Sequence, residues 1–152
     1  MNGPKTGDHK SAFTNLTLTG DLITKGDMVY QETSTGATRP ASAFTWDTDL
    51  LTTQTAFKLV FAGVALNDKP VGSVVGIRVG TDGEFEFDQA SGTKAFGALV
   101  GPAKASGNAL ENQKVATAVV AGAIGRCNKA ITAAGTKIRV RLKSTVQEGA
   151  QT

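Results

Sequence analysis

Residues 80–88 read GTDGEFEFD, and this stretch gives the strongest indication of the fold. Carboxylates occupy every second position, at Asp82, Glu84, Glu86 and Asp88. Because side chains alternate between the two faces of a β-strand, the spacing predicts a strand with one acidic face in water and with Phe85 and Phe87 toward the core. Asp82-Gly83 is a turn signal, so we expect the turn to contain Asp82 and the strand to begin after it.

A second alternating row, of opposite charge, lies near the C-terminus. It consists of Lys137, Arg139, Arg141 and Lys143, interleaved with Ile138, Val140 and Leu142. Like charges along one strand repel each other unless opposite charges lie nearby, so we expect this basic row to pair with the acidic row of residues 82–88. The rows could pair within one subunit or across a subunit boundary, where complementary charge sets register and specificity. The sequence leaves both alternatives open, and neither requires catalysis.

The acidic row lacks the pattern of a catalytic or metal site. A calcium loop needs acidic residues at fixed positions with a glycine and a distant glutamate, and that arrangement is absent. Glycosidase carboxylates face a cleft from separate elements, whereas these acids share one strand. His9 and Cys127 are the sole residues of their types, which excludes a histidine triad or a usual zinc cluster. We therefore expect no catalytic residue, no metal and no cofactor.

The composition is typical of one small β domain. The 152 residues include 18 glycines, and the net charge is +3. Abundant glycines and small residues favour short strands joined by tight turns. The mild positive charge is not the concentrated basic stripe of a nucleic-acid-binding protein. No apolar run is long enough to span a bilayer, and a single cysteine fits synthesis in a reducing cytoplasm. We expect neither a nucleic-acid partner nor a membrane partner.

The pattern along the chain predicts an all-β fold, a small barrel of short antiparallel strands. Residues 1–20 are expected to form a flexible, extended N-terminal arm that ends in a short strand over 15–19. The barrel domain is assigned to residues 21–143, with a glycine-rich excursion at 101–108. Residues 144–152 are expected to form a frayed tail.

One short helix is predicted at about residues 50–61. The segment lacks glycine and proline, and its apolar residues Leu50, Phe57 and Phe61 are spaced along one helical face. Asp47, Thr48 and Asp49 precede it and offer oxygen acceptors for an N-cap. Trp46 is expected to anchor the helix to the core.

The order of several short segments resembles that of a known family. The segments are KGDMVY at 25–30, ASAFTW at 41–46, FAGVAL at 61–66, IRVGTDGEF at 77–85, IGR at 124–126 and IRVRL at 138–142. Together they resemble the head-decoration, or cement, proteins of tailed-phage capsids. The resemblance extends over about residues 20–143, and it is carried by the order of the segments.

The resemblance implies a β-barrel or β-tulip unit that binds the major capsid protein on the outer surface of the capsid and stabilises the expanded shell. It further implies a homotrimer on the virion, made in the host cytoplasm, with an N-terminal arm that reaches a neighbour. An arm that ends in Leu16 and Leu18 would suit strand addition to an exposed sheet edge. The candidate interface residues are Leu16, Leu18, Glu84, Glu86, Asp88, Arg139, Arg141 and Lys143.

A second hypothesis is a β module that binds carbohydrate or a host surface. Such a module would present exposed aromatic side chains on one face. Tyr30 and Trp46 are the candidates, and each also fits a position in the core.

Overall fold

The computed structural model describes residues 9–14 and 16–146, and the elements below refer to these residues. Nine strands and one α-helix alternate with two short 3-10 helices, at Ala41–Ala43 and Val120–Gly122. In chain order the elements are β1 (His9–Thr14), β2 (Met28–Gln31), β3 (Thr38–Pro40), α1 (Leu50–Val60), β4 (Phe61–Ala65), β5 (Ile77–Lys94), β6 (Leu99–Lys104), β7 (Leu110–Thr117), β8 (Gly125–Cys127) and β9 (Ile131–Lys143).

Five strands close into a barrel, which confirms the predicted all-β class. Neighbours follow the order β5-β7-β6-β8-β9, and β9 pairs back to β5 to complete the ring. All these pairings are antiparallel except that between β5 and β7, which is parallel. Because the ring is closed, each of its five strands has a paired neighbour on both sides. No helix in the described part of the chain is long and apolar enough to cross a membrane.

The alternation read from the sequence explains how β5 and β9 close the ring. Phe87 on β5 and Val140 on β9 are buried and lie in the hydrophobic core. Phe85 is half-buried against the same core. Both strands are longer than the short strands predicted, with 18 residues in β5 and 13 in β9. Because β5 is so long, its first half can leave the ring and pair with other strands.

The remaining strands extend the sheet beyond the ring. β4 pairs antiparallel with β5 and with β2, and β2 pairs antiparallel with β3. β1 pairs antiparallel with the first part of β5, from Ile77 to Gly83. The first half of β5 therefore lies between β1 and β4, whereas its second half lies in the barrel.

The predicted helix is confirmed as α1. Its N-cap is Asp49, whose carboxylate accepts a hydrogen bond from the backbone N–H of Thr52 at 2.8 Å. Phe57 is fully buried and meets Tyr30 and Phe44 edge-to-face, with ring centroids 5.8 and 5.3 Å away. Trp46 is half-buried against the same core, as predicted. The helix therefore packs against β2 through one aromatic cluster, which lies in the same core as Val100 and Val140 of the barrel.

Three local predictions are wrong. Asp82-Gly83 is not a turn but lies within β5, where Gly83 has a φ of 152°. The register between β1 and β5 shifts nearby, so the strand accommodates this dipeptide beside a bulge. Residues 16–19 do not form a strand, and the strand in this part of the chain is β1, at His9–Thr14. The first half of the predicted excursion, residues 101–104, lies in strand β6 and is paired with β7.

The described parts of the two chain ends do not form the flexible arm and frayed tail that the sequence predicted. Residues 1–8, residue 15 and residues 147–152 lie outside the described residues. The segment His9–Thr14 of the expected flexible arm is strand β1. In the expected tail, Ser144 is fully buried, and its backbone N–H donates to the carbonyl of Thr81 at 2.7 Å. Backbone pairing with β5 fixes both segments.

Candidate functional site

The acidic and basic rows lie side by side on the outer face of the barrel. In the pairing of β5 with β9, Glu84 is opposite Arg141, and Glu86 is opposite Arg139. Asp88 is likewise opposite Lys137 in this pairing. The two rows therefore meet within one subunit, which decides between the alternatives that the sequence left open.

The ion pairs between the rows are partly diagonal. Arg139 reaches Glu84 at 3.5 Å, and Arg141 reaches Asp82 at 3.4 Å. Lys137 contacts Asp88, and this hydrogen bond raises the pKa of the lysine above its ordinary value. The side chains are largely exposed, so each pair adds little stability. Opposite charges placed across a strand pair do, however, oppose a slip in register.

Leu16 and Leu18 lie beside the sheet rather than in a strand. The side chain of Leu16 is 44% exposed, and its carbonyl accepts a hydrogen bond from the Thr38 N–H at 3.0 Å. Leu18 is half-buried, and its carbonyl accepts from the Asp21 N–H. The two leucines thus belong to the folded body, and the segment available for edge pairing is β1.

Sequence reasoning missed an exposed apolar surface close to β1. It comprises Leu16, Leu22, Val71, Val74 and Val75, each 44% to 63% exposed, and we call it the apolar loop surface. Strand β5 starts only at Ile77, so Val74 and Val75 lie before it and are exposed to water. The signal was present in the sequence, because Gly72 and Gly76 bracket these valines as loop residues.

Hydrogen bonds join the two segments that carry the apolar loop surface. The Gly72 N–H donates to the Thr19 carbonyl at 2.7 Å, and Thr17 Oγ1 donates to the Val75 carbonyl at 2.9 Å. Thr17 is almost fully buried, so this bond is shielded from water. The exposed apolar side chains are therefore presented on a connected scaffold.

Two buried or half-buried cations reinforce that scaffold. Lys69 is fully buried, and its Nζ donates to the carbonyls of Asp21 and Pro70. Arg39 donates to both carboxylate oxygens of Asp21, at 2.9 and 3.1 Å, and to Glu32 at 2.9 Å. These bonds, first of all the one to Asp21, raise the pKa of Arg39 above its ordinary value. Bidentate, charge-assisted bonds of this kind fix geometry as well as adding stability.

Strand β1 is an edge strand. It pairs with β5 along one side, and no other strand in the described ranges pairs with it. An edge strand presents backbone N–H and C=O groups that can pair with another chain. The edge therefore adjoins the apolar loop surface, since Thr14 of β1 is opposite Ile77, two residues after Val75.

Other candidate groups lie elsewhere. Tyr30, one of the two aromatic residues on which the carbohydrate hypothesis depends, is buried. Trp46 is half-buried, with Lys104 Nζ 5.6 Å from its ring centroid. Cys127 is buried, as its apolar surroundings predict. Among residues 9–14 and 16–146, no group of three or more His, Cys, Asp or Glu side chains is placed to hold a metal ion.

Comparison with known proteins adds no family assignment. No protein-family model matches the chain, and a search of curated proteins finds no significant match.

Proposed function

We propose that the protein is a structural virion protein that binds the outer surface of a tailed-phage capsid and stabilises the expanded shell. Its partner is the major capsid protein, and on the capsid it forms a homotrimer. The proposal is supported by the order of segments that resembles the decoration proteins. The observation that carries it is the apolar loop surface beside the edge strand β1.

Exposed apolar side chains concentrated on one part of a small domain mark a binding site more often than isolated ones do. Four of the five residues of the apolar loop surface are more than half exposed. The scaffold below them is held by buried hydrogen bonds, so docking costs little ordering of these loops. The adjacent edge of β1 offers backbone pairing to the same partner.

A cement protein acts by mass action. A protein that binds the expanded lattice and not the unexpanded one adds its association free energy to the expanded state. Such a function requires a stable body and a large contact surface. The closed barrel provides the body, and the apolar loop surface together with β1 provides a surface.

The test is co-sedimentation of the purified protein with capsids stripped of their surface proteins. The double variant Val74→Ser, Val75→Ser removes apolar contact at two side chains that are 55% and 54% exposed. Phe96→Ser is the matched control, because Phe96 is 70% exposed in the turn between β5 and β6. We expect saturable binding of the original chain at a fixed ratio to the capsid subunit, weaker binding of the double variant, and unchanged binding of the control.

A second variant tests the edge strand. A chain lacking residues 1–15 removes β1 but retains Leu16 and Thr17, which bond to the folded body. We expect this chain to fold and to bind shells less tightly. No binding of the original chain to expanded shells would refute the proposed function.

A further inference from the structure

A basic cleft is lined by residues of α1, β8 and β9 together with Asp82 of β5. Its volume is about 470 Å³. The charged residues that line it are Lys58, Arg126, Arg141, Lys143 and Asp82. Four cations therefore face one carboxylate, in a protein whose net charge is only +3. The residues that line the cleft include none of the apolar loop surface.

The cation pair at the centre of the cleft is unfavourable by itself. Arg126 on β8 and Arg141 on β9 are directly opposite each other in the antiparallel pairing. Like charges at directly opposed positions of two strands destabilise the pair. Asp82 lies 3.4 Å from Arg141 and so offsets part of one charge.

The other cations have weaker compensation, because Asp82 is opposite Lys143 in the pairing of β5 with β9 but forms its ion pair with Arg141. Among the described residues no carboxylate lies within 4 Å of Arg126, Lys143 or Lys58. Arg126 donates to the carbonyl of Gly97 at 3.1 Å, and Lys58 donates to the carbonyl of Val120, also at 3.1 Å. These hydrogen bonds hold the ends of the two side chains in place, but an uncharged carbonyl group does not neutralise their positive charge.

The cleft also has an apolar floor. Ile124 and Leu142 line it and are 5% and 2% exposed, so they form a packed wall rather than a mobile one. A low-polarity wall next to cations strengthens their attraction for an anion, because fewer waters screen the charges. Two guanidinium groups offer planar donor pairs that match the oxygens of carboxylate and phosphate.

The geometry points to an oxyanion-binding site in which Arg126, Arg141 and Lys143 hold a phosphate or carboxylate group. The bound anion offsets the repulsion between the opposed arginines. Two sources share this chemistry: a free phosphate-type anion, and an acidic side chain of the protein that the subunit docks against.

The first experiment is a titration of the full chain with sodium phosphate at constant ionic strength, with sodium chloride as the balancing salt. Backbone amide shifts of residues 125–127 and 139–143 report binding. We expect a saturable response that is at least about tenfold weaker in Arg126→Gln, because one charge-assisted donor group is lost. Lys104→Gln removes an equal charge outside the cleft and should bind as the original chain does.

Unfolding without phosphate separates a binding role from a structural one. Removal of Arg126 relieves the like-charge pair, so Arg126→Gln should be at least as stable as the original chain in chloride alone. Phosphate should then raise the unfolding temperature of the original chain but not that of the variant. No saturable phosphate response, or an equal response in Arg126→Gln, would overturn the proposal.

Co-sedimentation with stripped shells identifies the source of the anion, and this arm rests on the proposed function. Loss of both phosphate binding and shell binding in Arg126→Gln would assign the site to a carboxylate of the partner. Loss of phosphate binding with shell binding retained would assign it to a free anion. Failure of the original chain to bind shells would refute the proposed function while leaving the phosphate result to decide the oxyanion site.

Discussion

The substitution Gly63→Ala tests the close contact between β4 and β5. Gly63 has a φ of 140°, a conformation that L side chains rarely adopt. A Cβ built there would lie 2.1 Å from the carbonyl oxygen of Gly80 and 2.7 Å from Val79 Cγ1. The nearest atom belongs to the backbone of the paired strand, so it cannot turn aside as a flexible side chain would.

Two terms set the size of the effect. A non-glycine residue in this backbone region costs about 1–3 kcal/mol. Displacement of a packed neighbour costs about another 1–3 kcal/mol, and an overlap with backbone should reach the upper end of that range. The free energy of unfolding should therefore fall by about 4–6 kcal/mol.

Gly72→Ala is the matched control. Gly72 also has a positive φ, of 91°, but a Cβ there would meet nothing within 4 Å. This variant carries the backbone strain without the overlap, so it should lose only about 1–3 kcal/mol. Because a domain of this length shifts its unfolding temperature by roughly 2–4 °C per kcal/mol, the two variants should differ by several degrees.

The assay is urea unfolding followed by circular dichroism, with thermal unfolding alongside. Both variants should unfold in one cooperative transition with the slope of the original chain. Equal losses in Gly63→Ala and Gly72→Ala would refute the close contact of β4 with β5, and with it the position of β4 beside the barrel.

Further predictions concern the core, the helix cap and the charge rows. Phe57→Ala should lower the free energy of unfolding by about 3–5 kcal/mol in the same urea assay, because the ring is fully buried in the aromatic cluster. The backbone hydrogen bond from Thr52 lowers the pKa of Asp49, so its contribution to stability is present above the ordinary carboxyl pKa of 3.8 and is lost as the pH falls below it. Asp49→Asn should therefore show a smaller decline in unfolding free energy over that acid range. Arg139→Glu should destabilise the fold by placing a like charge opposite Glu86 and beside Glu84. The double exchange Glu86→Arg, Arg139→Glu puts opposite charges back at directly opposed positions and should restore part of the loss at low salt.

The last of these predictions depends on the pairing of the two charged rows within one chain. If the basic row had faced another subunit, reversal of Arg139 and Arg141 would have affected assembly more than folding. The structure pairs both with acids of the same chain, so their reversal should affect folding first. A double exchange that fails to recover stability at low salt would argue against this internal pairing.

Much of the fold could be predicted from local patterns in the sequence. The alternation of charged and apolar residues at 84–88 and 137–143 identified two strands and the faces that they bury. The helix was predictable because its apolar spacing and its capping residue agree, and its observed end at Val60 lies within one residue of the prediction. Such features depend on neighbours a few residues apart, which the sequence displays directly.

Long-range pairing accounts for what could not be predicted. Asp82-Gly83 has the local signal of a turn, but partners on β1 and β9 hold it extended. In the same way, the first part of the glycine-rich segment lies in strand β6, which is held extended by its pairing with β7 and β8. No local pattern reveals such partners.

The candidate surfaces were even less predictable from the sequence, because they arise from the pairing of strands. Val74 and Val75 match the pattern of a buried strand, and only the late start of β5 leaves them exposed. The opposed arginines of the basic cleft are 15 residues apart in the chain and meet only through the pairing of β8 with β9, at Arg126 and Arg141. A surface of this kind becomes visible once strand register is known.

The central claim is that this protein stabilises the expanded capsid shell by binding its outer surface. The most direct measurement is the temperature at which stripped, expanded shells break apart, with and without a saturating amount of the protein. Because binding to one state adds association free energy to that state, the account predicts a rise in this temperature that follows the bound fraction, together with little binding to unexpanded shells. An unchanged breaking temperature at full occupancy, or equal binding to both kinds of shell, would contradict the claim.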